Sequence, residues 1–318
     1  MSKLNIDQML KDGLIYKGND PKLHHDRIST GFPNLDNLLG EGIMRGRFYL
    51  VAGDTSVGKT VLCQEVAKQI LSTIKNSLVG YIDLEYCYDM GWWQQVGVDV
   101  DRVLVSQPEN GEKAVDVVIA LIEAGVQLII IDSLAGLLPA ALMDESADYN
   151  PMAALARLLS INLPKIVNKA SKHDAIVIGI NQVRSPLKLY EEETYPGGKA
   201  QKFYSSAVLR LRNGGWIKEG DKRVGFNVEI NNKKNKIGKP YETCEVAFRF
   251  DGGMDFLGVD IAEAIEQGKI IRSGPWYSWG DADTARKVMG INGVRSYFVE
   301  HPNELNDLKI LTNQNELV

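Results

Sequence analysis

The run FYLVAGDTSVGKTVLCQEVAKQIL, residues 48–71, limits the possible folds more than any other stretch. An apolar, β-like segment, FYLVAG, passes directly into the glycine-flanked loop GDTSVGKT and then into residues with helical spacing. The pattern G-x-x-x-x-G-K-[ST] between a strand and a helix is a phosphate-gripping loop. Its glycines let backbone N–H groups close around phosphate oxygens, and the helix N-terminus adds the positive end of its dipole. In this reading Gly53, Asp54, Thr55, Ser56, Val57, Gly58, Lys59 and Thr60 form the nucleotide-binding set. Lys59 reaches the β- and γ-phosphates, Thr60 offers its hydroxyl to Mg²⁺, and Asp54 faces away from the anion. A chance glycine-rich turn is the competing reading, and the strand before and helix after it argue against that.

The rest of the chain repeats the alternation. VGYIDLE (79–85), RVLVSQ (102–107), VQLIIIDS (126–133) and AIVIGINQ (175–182) read as strands. KAVDVVIALIEAG (113–125) and AALARLLSINLPKIVNKAS (153–171) read as helices, and Pro164 should kink the second or leave a carbonyl without its donor. Strands apolar on both faces, alternating with helices, predict a twisted, mainly parallel sheet covered on both sides, an α/β fold. AVLRLRN, RVGFNVEIN and CEVAFRF lack intervening helices and predict an antiparallel edge to the same sheet. The expected division is an N-terminal arm with one helix near Ile6–Leu14 (1–30), a core (31–257) and a small C-terminal α/β domain (258–318).

A hydrophobic content of 44% over 318 residues supports a sizeable core, and a net charge of -5 means that any nucleic-acid surface must be local. Cys63, Cys87 and Cys244 form no CxxC pair and read as small buried hydrophobes of a reduced, cytoplasmic protein. The N-terminus lacks a signal-peptide core, and Asp132, Ser133 and Pro139 interrupt the longest apolar region too often for a membrane span. His24 and His25 have no cysteine or carboxylate cluster beside them and read as part of a polar arm rather than a metal site.

A phosphate loop needs a second acid for its metal at the end of a neighbouring strand, and LIIIDS supplies Asp132, although an acid there also serves simply to end a strand. Hydrolysis needs a group to orient water; YIDLE places Glu85 at a strand end, where a solvated acid is equally ordinary. NQVRSPLKLYEEETYPGGKAQKFYSS, residues 181–206, leaves regular structure for about twenty residues, and loops of that length in compact domains are usually functional or disordered.

Taken together, IDLEYCYD, GVDVDRVLVSQPENGEKAVDVV, IIIDSLAGLLP, INQVR, GGKAQKFYSSAVLRLR, KNKIG, GPWYSW and GVRSYFVEHPNELNDL resemble RecA-type recombinases, in order and spacing, over about residues 28–310. The resemblance implies a RecA-type ATPase fold and a DNA-dependent ATPase that builds a helical filament on single-stranded DNA, pairs it with homologous duplex and exchanges strands. By position, Glu85 matches the glutamate that activates water, and Asp89 and Trp92 fall where adenine is contacted and stacked. Ser133 accompanies Asp132 at the nucleotide, and Gln182 matches the sensor of the γ-phosphate. Lys234 and Lys236 match a pair reaching the neighbouring subunit's nucleotide, though KKNK alone reads as a solvated turn. Phe203 matches an aromatic at the subunit interface. Residues 184–202 match the second DNA-binding loop, and the first falls near 144–156. Arg157, Ser160, Arg184, Lys199 and Lys202 are then the phosphate-contacting side chains, with Gly197 and Gly198 as bare backbone. Cations and open amides suit sequence-independent binding.

Implied partners are single-stranded and duplex DNA, further copies of the chain, a single-strand-binding protein and a loader. Glu191–Glu193 sit awkwardly in such a loop; they turn outward, bind the basic patch of a neighbouring copy or weaken DNA binding. A mediator that uses ATP as a structural ligand and a hexameric motor of the same core remain the rival readings.

Overall fold

The computed structural model describes residues 6–142, 151–184, 193–280 and 285–305. The N-terminal part holds helix α1 (Ile6–Lys11), strand β1 (Arg27–Ile28), helix α2 (Pro33–Leu39) and strand β2 (Ile43–Met44). The core continues with β3 (Phe48–Gly53), α3 (Lys59–Thr73), β4 (Val79–Asp83), α4 (Met90–Val96), β5 (Val103–Ser106), α5 (Gly111–Glu123) and β6 (Leu128–Asp132). Then follow α6 (Pro151–Lys172), β7 (Ile176–Gln182), α7 (Ala200–Tyr204), β8 (Ala207–Glu219), β9 (Lys222–Asn235), β10 (Thr243–Arg249) and β11 (Gly253–Met254). The chain finishes with α8 (Phe256–Glu266), β12 (Ile271–Ser273), β13 (Trp276–Trp279), β14 (Arg286–Met289) and α9 (Gly290–Glu300).

Among the described residues, nine strands make one sheet in the order β11-β10-β9-β8-β3-β7-β6-β4-β5. From β8 to β5 all pairs are parallel, so AVLRLRN joins the parallel part of the sheet beside β3 rather than the expected antiparallel edge; β9, β10 and β11 do extend the sheet antiparallel, as the loss of helices after residue 206 predicts. The period of two sorts each strand between two cores. Tyr49 and Val51 join Leu62, Val66 and Ile70 of α3, while Phe48, Leu50 and Ala52 join the side carrying α5 and α6. Each large aliphatic side chain so buried contributes about 1.5–3 kcal/mol. The result points the C-terminal ends of β3, β4, β6 and β7 to one rim, where open α/β sheets bind ligands.

Of the two outcomes expected at Pro164 the second holds: α6 runs through it as one helix, and the Ser160 carbonyl lacks the N–H that a non-proline residue would have given it. Several local expectations need correction. Cys87 is exposed, because it sits in the turn after β4 rather than in an apolar segment, whereas Cys63 is buried and Cys244 is half-buried. His25 is no solvated arm residue: its side chain is 9% exposed, and its ring Nδ1 lies 2.6 Å from Asp174 Oδ1. Glu85 lies two residues beyond the end of β4 rather than in it. The expected 257/258 boundary falls inside α8, whose N-cap is Asp255. A separate apolar cluster built on Ile261, Tyr277, Trp279, Val294 and Phe298 supports a C-terminal unit beginning at that cap. Most of the expected first DNA loop, and residues 185–192 of the second with Glu191 and Glu192, lie outside the described residues.

Candidate active site

The loop after β3 is shaped by close approach. A Cβ on Gly53 would stand 2.7 Å from Val57 Cγ2 and 2.9 Å from the Leu211 carbonyl oxygen, so only glycine fits there. Lys59 opens α3, and its ammonium donates to the Asp54 carbonyl at 2.6 Å, across the mouth of the loop. Burial holds the Lys59 pKa below its ordinary value, while the charges of Asp132, Glu85 and Asp54 pull it back up. An anion entering the loop relieves that penalty, because it supplies the charge that the buried ammonium lacks.

Thr60 donates its hydroxyl to Asp132 Oδ2 at 2.7 Å. Tyr81, from the neighbouring β4, donates to the same oxygen at 3.0 Å. Burial raises the Asp132 pKa, and the two hydroxyl donors oppose it. An oxygen-only pair, a hydroxyl and a carboxylate, suits a hard cation such as Mg²⁺, which takes its other ligands from phosphate and water.

Glu85 is brought to the same rim. Its Oε1 accepts from the Ser133 hydroxyl at 2.7 Å. The turn that carries it is pinned by Asp83, a fully buried carboxylate that accepts from the Cys87 and Tyr88 N–H groups and from Gln107 Nε2. Gln182 ends β7 directly beside Gly53 in the parallel register, with its side chain exposed. Gly53, Lys59, Thr60, Glu85, Asp132, Ser133 and Gln182 therefore converge from four strands.

The residues expected at the adenine belong to α4. Asp89 caps α4 by accepting from the Trp92 N–H at 2.6 Å. Trp92 is partly buried and packs against the core, and Trp93 is fully packed between Tyr81 and Tyr88. Beside the phosphate loop lies a cavity of about 330 Å³ walled by Phe226, Phe248 and Phe250. The sequence reading missed this aromatic wall, although Phe248 and Phe250 alternate as residues on one sheet face do.

Lys234 and Lys236 stand elsewhere. Lys234 Nζ donates to the carbonyls of Phe203 and Ser205 at 2.8 and 2.9 Å and also to that of Lys202, closing the C-terminal end of α7. Lys236 donates to the Phe203 carbonyl at 3.0 Å and lies 5.5 Å over the Phe203 ring. Neither lysine lines the phosphate cavity. Lys234 does line a groove of about 1050 Å³ together with Arg184, Gly197, Gly198, Lys199, Lys202 and Phe203. The groove gathers most of the residues expected to meet DNA. Arg157 and Ser160 are exposed on α6, and Ser160 donates its hydroxyl to the Ala156 carbonyl.

The two glycines of the loop differ. Gly198 is exposed, while Gly197 is buried with φ 86°, and a Cβ there would meet Leu159 Cδ1 at 2.3 Å. Packing, not bare backbone, explains Gly197. The base of the loop is closed by mutual backbone bonds between Arg184 and Thr194. Glu193 beside it turns neither outward nor toward a neighbour: it pairs with Arg210 and Arg212 of β8.

Comparison with known proteins agrees with this geometry. The sequence model of the RecA N-terminal domain matches residues 2–255. Protein RecA of Rhodopirellula baltica is 34% identical over 310 residues, covering 96% of this chain and 81% of the relative. Protein RecA of Clostridium beijerinckii is 32% identical, covering 96% and 84%. Protein RecA of Chlorobaculum tepidum is 37% identical over 279 residues, covering 86% and 80%. With a family match over most of its length and relatives of this identity across nearly all of it, the chain belongs to the RecA family.

Proposed function

We propose that this chain is a DNA-dependent ATPase that assembles on single-stranded DNA and promotes homologous pairing and strand exchange in recombination and repair. The observation that carries the reading is the convergence of Lys59, Thr60, Asp132, Glu85 and Gln182 on the rim from which the groove-forming loop departs. Loop amides and Lys59 bind the phosphates. Thr60 and Asp132 would hold Mg²⁺, which would supply positive charge against the phosphates. Glu85, oriented by Ser133, accepts a proton from the attacking water, and Asp89 and Trp92 receive the adenine. Gln182 stands between the phosphate site and Arg184, one residue before the DNA loop leaves described structure, so nucleotide state can bias the loop. Arg157, Ser160, Arg184, Gly198, Lys199 and Lys202 face the DNA backbone.

Lys234 and Lys236 complete the nucleotide site of an adjacent copy, with Phe203 at the same contact. The exposed Ile6 and Leu14 support a subunit-contact role for the arm. Among the described residues no helix is long and apolar enough to cross a membrane, and a cytoplasmic site of action fits that. The test is ATP hydrolysis with and without single-stranded DNA, beside Lys59→Ala. Strong stimulation that disappears in the variant is expected; hydrolysis indifferent to DNA overturns the reading.

A further inference from the structure

Strand β3 carries the phosphate loop at its end, and two parallel neighbours flank it. On one side β7 delivers Gln182 beside Gly53. On the other side β8 delivers Arg210, in register with Ala52. Arg210 was read in the sequence only as part of an edge strand, yet its side chain is just 4% exposed.

A buried guanidinium needs partners for its whole fork, since an uncompensated charge there is costly. Arg210 finds them on two segments far apart in sequence. Nε donates to Glu193 Oε2 at 3.0 Å, and Nη2 donates to Glu193 Oε1 at 3.0 Å, a two-pronged contact with the base of the second loop. Nη2 also donates to both carboxylate oxygens of Asp54, at 3.3 and 3.1 Å. Nη1 turns to the Leu211 carbonyl, and Arg212 adds a second donor to Glu193 at 3.1 Å.

Asp54 is thus held at both ends. Its carboxylate is on Arg210, and its carbonyl accepts from Lys59. When phosphate draws Lys59 away, the carbonyl loses its donor and the Asp54 peptide gains freedom, while the carboxylate still pulls on Arg210. Arg210 in turn holds Glu193, immediately beside the Arg184–Thr194 closure of the loop. No apolar packing is needed to carry the signal; one side chain spans the gap.

We propose that Arg210 is a positioning residue that couples the phosphate loop to the base of the second DNA loop, through Asp54 on one side and Glu193 on the other. It forms a route separate from Gln182. The inference rests on the reading of residues 184–202 as a DNA-binding segment.

The test is the binding linkage itself. The affinity of a non-hydrolysable ATP analogue is measured with and without a fluorescent oligo-dT. Affinity for the oligonucleotide is measured with and without the analogue. The two ratios must agree, because coupling is reciprocal, and a value of roughly 5- to 150-fold is expected for the wild type. Asp54→Asn and Glu193→Gln keep the shape of each side chain but remove negative charge from the buried Arg210 guanidinium, so some loss of stability is expected and the linkage is read well below the melting temperature of the least stable variant. Arg210→Ala is avoided because it leaves two carboxylates facing each other.

Each single variant is expected to lower the ratio by at least about threefold, and the double variant no further, as residues of one network behave. Arg210→Lys keeps the charge but loses the fork, and should lower the ratio as well. Variants that weaken both affinities while keeping the wild-type ratio would make the network merely structural and overturn the proposal. So would a double variant whose loss is the product of the single losses. Absence of any linkage in the wild type would instead overturn the functional reading beneath it.

Discussion

The Tyr81 hydroxyl donates to Asp132, and nothing in VGYIDLE announces that task. Lys59, Thr60 and Asp132 were legible because their chemistry follows from spacing along one segment, a glycine-flanked loop or an acid after an apolar run. Glu85 was raised by its place after a strand, where a solvated acid is equally ordinary, and singled out by resemblance; Gln182 was found by resemblance alone. Tyr81, Arg210 and Phe250 were not found, because their roles depend on which strands become neighbours, and that is set by packing across the sheet. Tyr81 reads as one more apolar strand residue, but it holds the carboxylate expected to carry the metal. Removing an outer partner of a metal ligand typically costs 10–100-fold in metal affinity or activity. Tyr81→Phe should therefore raise the Mg²⁺ concentration for half-maximal ATP hydrolysis about tenfold, the low end of that range, while thermal unfolding changes little. A Mg²⁺ titration of the DNA-stimulated ATPase checks it; an unchanged Mg²⁺ requirement would show that Thr60 alone fixes Asp132.

Among elements, the long apolar strands and α3, α5 and α6 were readable because each carries its own periodicity over many residues. Helices α2, α4 and α7, of seven, seven and five residues, were not. Helices so short are marginal alone and exist through the surfaces they touch. Helix α7 shows the consequence for KKNK, which looks like a solvated turn until its lysines are seen holding the carbonyls at the end of α7. Burial, followed by the positive charge of Lys236, pushes the Lys234 pKa down to about 8. The folded value lies below the unfolded one, so between about 8 and the ordinary 10.5 the unfolded chain binds more protons, and this group's contribution to stability rises with pH across that window. Contact with a phosphate works in the opposite sense, because it favours the ammonium form and therefore weakens as pH rises past about 8. In the free chain, NMR titration of the Lys234 side chain should show a midpoint near 8, and a midpoint at the ordinary lysine value would refute the burial account.

At the scale of the whole molecule, the two halves of the proposed nucleotide site lie on different surfaces. The phosphate loop, Asp132 and Glu85 share one rim, while Lys234, Lys236 and Phe203 gather beside the groove. A single copy does not bring Lys234 or Lys236 to its own phosphate cavity, so the two lysines serve a nucleotide only if copies stack head to tail. Such heterologous contacts build open helices when the rotation does not close. Phe203 is the proposed anchor of that contact: it is 67% exposed, supported by Lys236 over its ring and by an edge-on contact with Tyr204. An aromatic left open on a monomer and backed by a cation is the kind of anchor that dominates interfaces, where truncation of such a residue costs about 2 kcal/mol or more. Phe203→Ala removes little that the single chain buries, so its stability should stay within about 0.5 kcal/mol of wild type. Its ATP-dependent self-association should weaken by roughly 30-fold, the equivalent of about 2 kcal/mol. Sedimentation velocity with an ATP analogue and oligo-dT measures the second quantity, and denaturant unfolding the first. Loss of assembly with an intact fold would place Phe203 in the contact between copies; filaments of wild-type length would remove it from that contact and with it the reason for its exposure.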